Sequence, residues 1–372
     1  DCFEAPCKAG CPIHQDITTY LELVSEGKYE EAMEVITEKN PLPFITGTIC
    51  AHNCMSKCTR NFYEDPVHIR NMKLLAAENG YEAWLKKQGV PAVTKEGKAA
   101  VIGGGPAGMA AAYFLRRAGM DVTIFEQNDA LGGVVRHVIP EFRIASSAID
   151  KDAEILNTLG VHVELNTRVK SVDELKAEGF DKVILAVGAS KPGTLRLEEG
   201  DATNALEFLA DFKANNGELN IGKNVVVIGG GNTAMDTARA AKRTTGVENV
   251  YLVYRRTKRF MPADAEELEM AIEDGVEFKE LLSPVKVVDG KLTCKVMKLG
   301  DIDESGRRSV VETDEICEIA ADTVIAAVGE KVPTKFYEAN RINVSERGKA
   351  LVNDDTLESN VDGVYVVGDG LG

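Results

Sequence analysis

The chain has 372 residues, with 59 Asp and Glu against 43 Lys and Arg, and a formal net charge of −16 at pH 7. That balance argues against nucleic acid and anionic membrane surfaces as partners, because phosphate binding needs concentrated Lys and Arg. The length allows two or three domains with full cores. No apolar run reaches the length of a membrane span and no secretory signal is visible. The first residue is Asp1 rather than Met, and Gly368-Asp369-Gly370-Leu371-Gly372 stops inside a glycine-rich turn, so the chain reads as part of a longer one.

Six of the eight cysteines crowd the start: Cys2, Cys7, Cys11, Cys50, Cys54 and Cys58. Such bunching in a large acidic chain favours metal or cluster ligation in a reducing, cytoplasmic setting over a disulfide framework. Helical spacing predicts helices over Asp16 to Glu26, Tyr29 to Lys39 and Val67 to Lys87. Asn40-Pro41-Leu42-Pro43 between them must be a turn or extended. The cysteines fall in loops flanking these helices, and a Pro following Cys11 is a ferredoxin-like habit. Iron–sulfur ligation is the favoured reading. Zinc, which more often pairs C-x-x-C units, and inert buried thiols are the rivals.

From Lys98 the pattern turns α/β. Ala99 to Ile102 reads as a buried strand, followed by Gly103, Gly105, Pro106, Ala107 and Gly108 in a G-x-G-x-x-G turn that opens a helix over Met109 to Ala118. Glu126, with Gln127 beside it, ends the next apolar run roughly 20 residues on. Gly103 permits the sharp turn, Gly105 lets backbone approach a pyrophosphate, and Gly108 lets helix and strand pack closely. A carboxylate at Glu126 can accept from a ribose. The set is expected to bind a dinucleotide. Gly133, in a second glycine loop, could approach a flavin or pyrophosphate. Arg143 reads equally well as a surface charge. A buried strand over Lys182 to Val187 delivers Gly188.

A second fingerprint follows at Gly229, Gly231, Asn232, Thr233 and Ala234, with Ala in the third glycine's place. Its next strand, Val250 to Tyr254, runs into Arg255-Arg256 instead of an acid. Arginines pair with a ribose 2′-phosphate, so NADPH is expected here over NADH; a solvated basic turn is the bland alternative. Residues 284–325 read as a β-meander with turns at Asp289-Gly290 and Ser305-Gly306, and with Cys294 and Cys317 as packing residues. Thr323 to Val328 is a further strand, ending at Gly329. A last strand delivers Gly368 and Asp369, a turn suited to a flavin ribityl chain.

The repeated fingerprint, the contrast of Glu126 with Arg255-Arg256, and the closing Val-Gly-Asp-Gly resemble the flavoproteins with two dinucleotide-binding domains. Ala5-Pro6-Cys7, Gly10-Cys11-Pro12-Ile13-His14-Gln15-Asp16-Ile17, Asn40-Pro41-Leu42 and Thr46-Gly47-Thr48-Ile49-Cys50 narrow the resemblance to the NADPH-dependent glutamate synthase small-subunit group. A similar module occurs in dihydropyrimidine dehydrogenase, ferredoxin:NADP oxidoreductase and selenate reductase-like proteins. The resemblance implies an α/β fold with a helical iron–sulfur domain (1–90) and an FAD domain in two parts (98–190 and 329–372). An NADPH domain (191–328) is inserted between those parts. It further implies FAD at the first fingerprint, NADPH at the second, and [4Fe–4S] clusters passing electrons to a partner subunit or domain. By resemblance Cys2, Cys7 and Cys58 share one cluster with a Cys upstream of Asp1. Cys11, Cys50 and Cys54 share another, whose fourth ligand in relatives is a non-cysteine residue on the following helix; Lys73 stands in that region. No acid–base catalytic residue is expected, since the flavin carries the chemistry.

Overall fold

Apolar residues at helical spacing give the N-terminal segment its three main helices. Ile17–Ser25 buries Ile17, Tyr20 and Val24, and Tyr29–Thr37 buries Ala32, Met33 and Ile36. Ile69–Lys87 lies across them, with Ala76, Ala77, Tyr81 and Trp84 inside. A Cβ at Gly80 would collide with the Tyr29 carbonyl, so this glycine is what lets the helices approach. The computed structural model describes residues 4–189, 191–302 and 308–371; Cys2 and the Ser305-Gly306 turn lie outside the described residues.

Several helices were not read from the sequence, among them Ser146–Thr158, Ala205–Ala214 and one beside the cysteines. Pro43–Ile49 starts directly on the second proline of the Asn40 to Pro43 turn. Proline suits the first helical position because no intrahelical bond needs its missing N–H. The next two N–H groups are met from far away: Phe44 N and Ile45 N donate to Asp152 Oδ1 and Oδ2 at 3.1 and 2.8 Å. Cys7 and Cys54 lie not in open loop but in short helical turns, Pro6–Gly10 and Asn53–Ser56.

Two parallel five-stranded sheets follow. The first has the order Val364–Val366, Phe180–Leu185, Lys98–Ile102, Asp121–Phe125, His162–Glu164. The second runs Thr203–Asn204, Thr323–Ala326, Asn224–Ile228, Asn249–Tyr254, Glu277–Glu280. The buried stretches of their central strands, residues 99–102 and 225–228, are apolar, as sheets covered on both faces require. Against the second sheet packs an antiparallel sheet of Leu282–Val288, Lys291–Ile302 and Arg308–Ala320. Leu282, Leu292, Cys294 and Ile319 share a core there with Val226, Ile228 and Val324. Its first turn is Asp289-Gly290, both at positive φ (49° and 71°), as a tight hairpin demands.

The described chain divides into two compact units: residues 4–136, 142–189 and 332–371, and residues 137–141 with 191–302 and 308–331. Among the described residues no helix is long and apolar enough to cross a membrane.

Candidate functional site

In the first unit the glycine turn sits at the carboxyl ends of parallel strands. Ile102 pairs with Phe125 on one side and Leu185 on the other. Gly103, at φ 104°, lies so close to the Ala186 carbonyl that any Cβ would strike it. A Cβ on Gly108 would strike the Gly103 carbonyl. Gly105 caps the Pro106–Arg117 helix, leaving first-turn N–H groups facing outward.

The loop through Gly133 folds onto this turn. Gly132 N donates to the Gly104 carbonyl at 2.8 Å, and a Cβ on Gly133 would stand 2.8 Å from Gly105 Cα. Arg136 secures the loop from behind, bonding the Leu131 carbonyl and pairing with Asp150 at 2.5 Å. From the last strand Gly368 reaches the helix start, where a Cβ would lie 2.7 Å from Ala107 Cβ; Asp369 follows in the same short turn. Gly188 follows the neighbouring strand at φ 65°. The cradle is bare backbone on several sides, which fits a dinucleotide pyrophosphate.

Glu126 is buried behind the turn. Its Oε2 accepts from Gly104 N at 2.7 Å, and its Oε1 accepts from Asn128 N and Nδ2, both at 2.8 Å. Oε2, with a single donor, keeps acceptor capacity for a further hydroxyl, whereas Oε1 is fully used by Asn128. The acid therefore braces the turn, a duty the sequence did not disclose. Gln127 beside it is exposed.

The second unit repeats the arrangement. Ile228 pairs with Val253 and Ala326, and a Cβ on Gly229 would strike the Ala327 carbonyl. Gly231 caps the Asn232–Arg243 helix and has open space where its Cβ would be. Ala234 is fully buried, its Cβ 3.1 Å from where one on Gly229 would lie. Beside the turn is a cavity of about 550 Å³ whose lining includes Gly229, Gly231, Thr233, Tyr254, Arg255 and Gly329. A second cavity, of about 690 Å³, adjoins the Thr203–Asn204 strand away from the glycine turn.

Strand register sharpens the contrast between the two acids and bases. Gly103 N bonds the Phe125 carbonyl and Gly229 N the Val253 carbonyl, so the counterpart of Glu126 is Tyr254. The Tyr254 ring covers Gly230, 2.5 Å from where its Cβ would be, and its hydroxyl donates to the Phe260 carbonyl at 2.9 Å. Ala263 N bonds the Gly230 carbonyl at 3.0 Å and Asp264 N bonds Asn232 Oδ1 at 3.1 Å. These bonds fold the 255–264 loop back over the turn. Arg255 reaches the cavity, whereas Arg256 Nε donates to the Arg308 carbonyl at 3.1 Å. Thr233 Oγ1 donates to Glu330 Oε1 at 3.1 Å across the cavity mouth.

In the cysteine segment, Cys7, Cys11 and Cys54 pack around Ile17 and Tyr20. Cys54 is buried, and burial first, then the nearby Cys50 thiol, pushes it up to about 11, with Lys73 opposing the rise. Metal binding must displace that proton. Lys73 is 8% exposed; burial lowers its pKa while Cys50, Cys54 and Cys11 raise it. Asp152 is fully buried and pushed up to about 7 by burial, against its two N–H donors and Lys73. Among the described residues no three His, Cys, Asp or Glu side chains converge as a single-metal site requires. Cys58 is partly exposed just past the Asn53–Ser56 turn. Cys294 and Cys317 stand opposite each other in the hairpin, remote in sequence from this segment; Cys294 is fully buried.

Two braced glycine turns, one backed by an acid and one covered by a tyrosine with an arginine in the adjoining cavity, are the arrangement of a protein with two dinucleotide-binding domains. Residues 97–371 match the pyridine nucleotide-disulphide oxidoreductase family, and the chain belongs to it. Residues 1–84 match the 4Fe-4S cluster domain described for dihydropyrimidine dehydrogenase, domain II. The chain is thus an oxidoreductase with FAD- and NADPH-binding domains and an iron–sulfur domain. It is 42% identical to YgfK of Escherichia coli (strain K12) over 99% of its own length and 36% of that protein. It is 33% identical to the glutamate synthase [NADPH] small chain of Azospirillum brasilense, over 98% of this chain and 80% of that one. Among solved structures, FprA from Mycobacterium tuberculosis in complex with NADPH superposes with a TM-score of 0.62 at 21% identity, over 74% of this chain and 79% of that one, a likeness of fold. The chain spans about a third of YgfK.

Proposed function

We propose that this chain is the electron-input module of a larger cytoplasmic oxidoreductase, taking hydride from NADPH and passing electrons to a partner subunit or domain. The flavin would supply the conversion from paired to single electrons when bound. The chain's own residues do the rest. Gly103, Gly105, Pro106, Ala107, Gly108, Gly133, Gly188, Gly368 and Asp369 supply close backbone and helix-end N–H groups for FAD, with Glu126 to accept from its ribose. Gly229, Gly231, Asn232, Thr233, Ala234 and Gly329 frame the NADPH site, where Arg255 meets the 2′-phosphate. Cys7, Cys11, Cys50, Cys54 and Cys58, together with Cys2, supply thiolates to the clusters.

The observation that carries this reading is the placement of Arg255 in the second cavity against Glu126 behind the first turn. A dithiol reductase would need a redox-active cysteine pair beside the flavin, yet no cysteine occurs between Cys58 and Cys294. The test is anaerobic addition of NADPH to the flavin-loaded protein. Bleaching of the flavin band, with a clear preference over NADH, is expected; an unbleached flavin would sink the proposal.

A further inference from the structure

We propose that Cys294 and Cys317 are a reversible dithiol/disulfide pair, closed by low-molecular-weight disulfides, whose closure loosens the wall of the NADPH cavity. This rests on the nucleotide reading above.

Lys291–Ile302 and Arg308–Ala320 pair antiparallel, and their register sets Cys294 directly opposite Cys317. Residues opposite each other share one face of a sheet. Here it is the inner face: Cys294 is fully buried with Leu292, Ile319 and Val324, and Cys317 packs against the same core. Both are free thiols. Opposed Cα atoms of an antiparallel pair lie about 4.5–5.5 Å apart, within the span of a disulfide. The two thiols differ in access. Arg308–Ala320 is an outer strand of its three-stranded sheet, and Cys317 is partly exposed. Cys294 lies in the middle strand, where burial pushes its thiol up to about 12.

Cys317 is therefore the thiol that meets a reagent from solution. As thiolate it attacks one sulfur of glutathione disulfide, forming a mixed disulfide and releasing one glutathione. Cys294 then gives up its proton and displaces the second glutathione; its closeness to the mixed disulfide offsets its high pKa. Two thiols have become one disulfide, and their two electrons and two protons have gone to the two glutathiones. Cytoplasmic disulfides are usually transient and redox-sensing, which suits a pair that opens and closes.

The row continues past Cys294. Its partner on the other side is Pro284, and Leu282, Ser283 and Pro284 line the NADPH cavity. Proline gives the ladder no N–H, and the register slips between Pro284 and Lys286, so this joint is weakly tied. A disulfide holds Cβ atoms at about 3.5–4.5 Å, against about 4.5–5.5 Å for an open cross-strand pair. Closing the bridge draws the two strands together, and the Pro284 joint is where the middle strand can give. The cavity wall then loses support, and the nucleotide should bind less tightly.

The full-length protein, loaded anaerobically with flavin and iron, is treated with glutathione disulfide, alkylated and digested. Mass spectrometry then looks for a peptide joining Cys294 to Cys317. Expected are that joined peptide, its loss with dithiothreitol, and NADP+ binding weakened by about fivefold or more in calorimetry of the bridged protein. Cys317→Ser should bind NADP+ as the reduced native chain does, before and after the treatment, which separates this pair from the cysteines of the cluster segment. Two alkylated thiols with no joined peptide overturn the proposal. So does a bridged protein of unchanged affinity, or an equal loss in Cys317→Ser. A reduced native chain that binds no NADP+ overturns the nucleotide reading and this proposal together.

Discussion

At the first glycine turn the residue following the second strand is Glu126, buried and bonded to Gly104. At the second turn the same station holds Tyr254, whose ring lies over Gly230, and the charge comes one residue later at Arg255. One backbone is braced in two ways. A carboxylate holds amides by hydrogen bonds and can also accept from a free ribose. An aromatic ring covers the turn and ties its hydroxyl to the loop, leaving recognition to a cation that suits a phosphate. The first unit extends the habit, since Asp152 holds the Phe44 and Ile45 amides as Glu126 holds Gly104. A buried acid holding backbone amides occurs twice in the first unit, and a tied-back basic loop folds over the turn of the second.

The largest effect should come from titrating such an acid. The folded state raises the Asp152 carboxyl from 3.8 to about 7, so its stabilising share is full below about pH 4 and is lost as pH rises through about 7. Asp152→Asn removes that dependence. The stability difference between native chain and variant should shift by up to ~4 kcal/mol across this window. Urea unfolding of the metal-free protein at several pH values measures it, and parallel curves for the two would refute the assignment.

Next is Gly108→Ala, whose methyl meets the backbone carbonyl of Gly103. A cost of about 1–3 kcal/mol and poor flavin retention are expected, read from melting temperature and flavin absorbance. Replacing Arg255 with Ala should lower kcat/KM for NADPH about 10–100-fold and leave NADH nearly unchanged; equal losses for both would remove the 2′-phosphate role. Arg256→Ala, which gives up the bond to the Arg308 carbonyl, should weaken NADPH use by less than Arg255→Ala does. The smallest effect is that of Ala234→Gly. It trades a fully buried methyl in a helix for backbone freedom, at about 1 kcal/mol, with calorimetry as the check.

Strands, turns and the three long helices were legible because hydrophobic period and glycine spacing are local properties. The Pro43–Ile49 helix was not. Its prolines read as a break, and the acid that meets its amides lies more than a hundred positions away. Tyr254 was passed over for a similar reason. Only strand register shows that the residue before Arg255, and not the arginine itself, stands where Glu126 stands. The cluster segment was readable as a set of thiols, whereas the burial of Lys73 depends on how the helices pack.

The bond from Asp152 to the Phe44 and Ile45 amides also has a consequence for biogenesis. On the ribosome, the helix that leads into Cys50 emerges long before the carboxylate that steadies it. Until the Ser146–Thr158 helix has been made and docked, that cysteine loop lacks its anchor, so metal loading should follow flavin-domain folding. Excising the cysteine segment as a free-standing ferredoxin would discard the same anchor. The electron wire and the flavin cradle are in this sense assembled as one object.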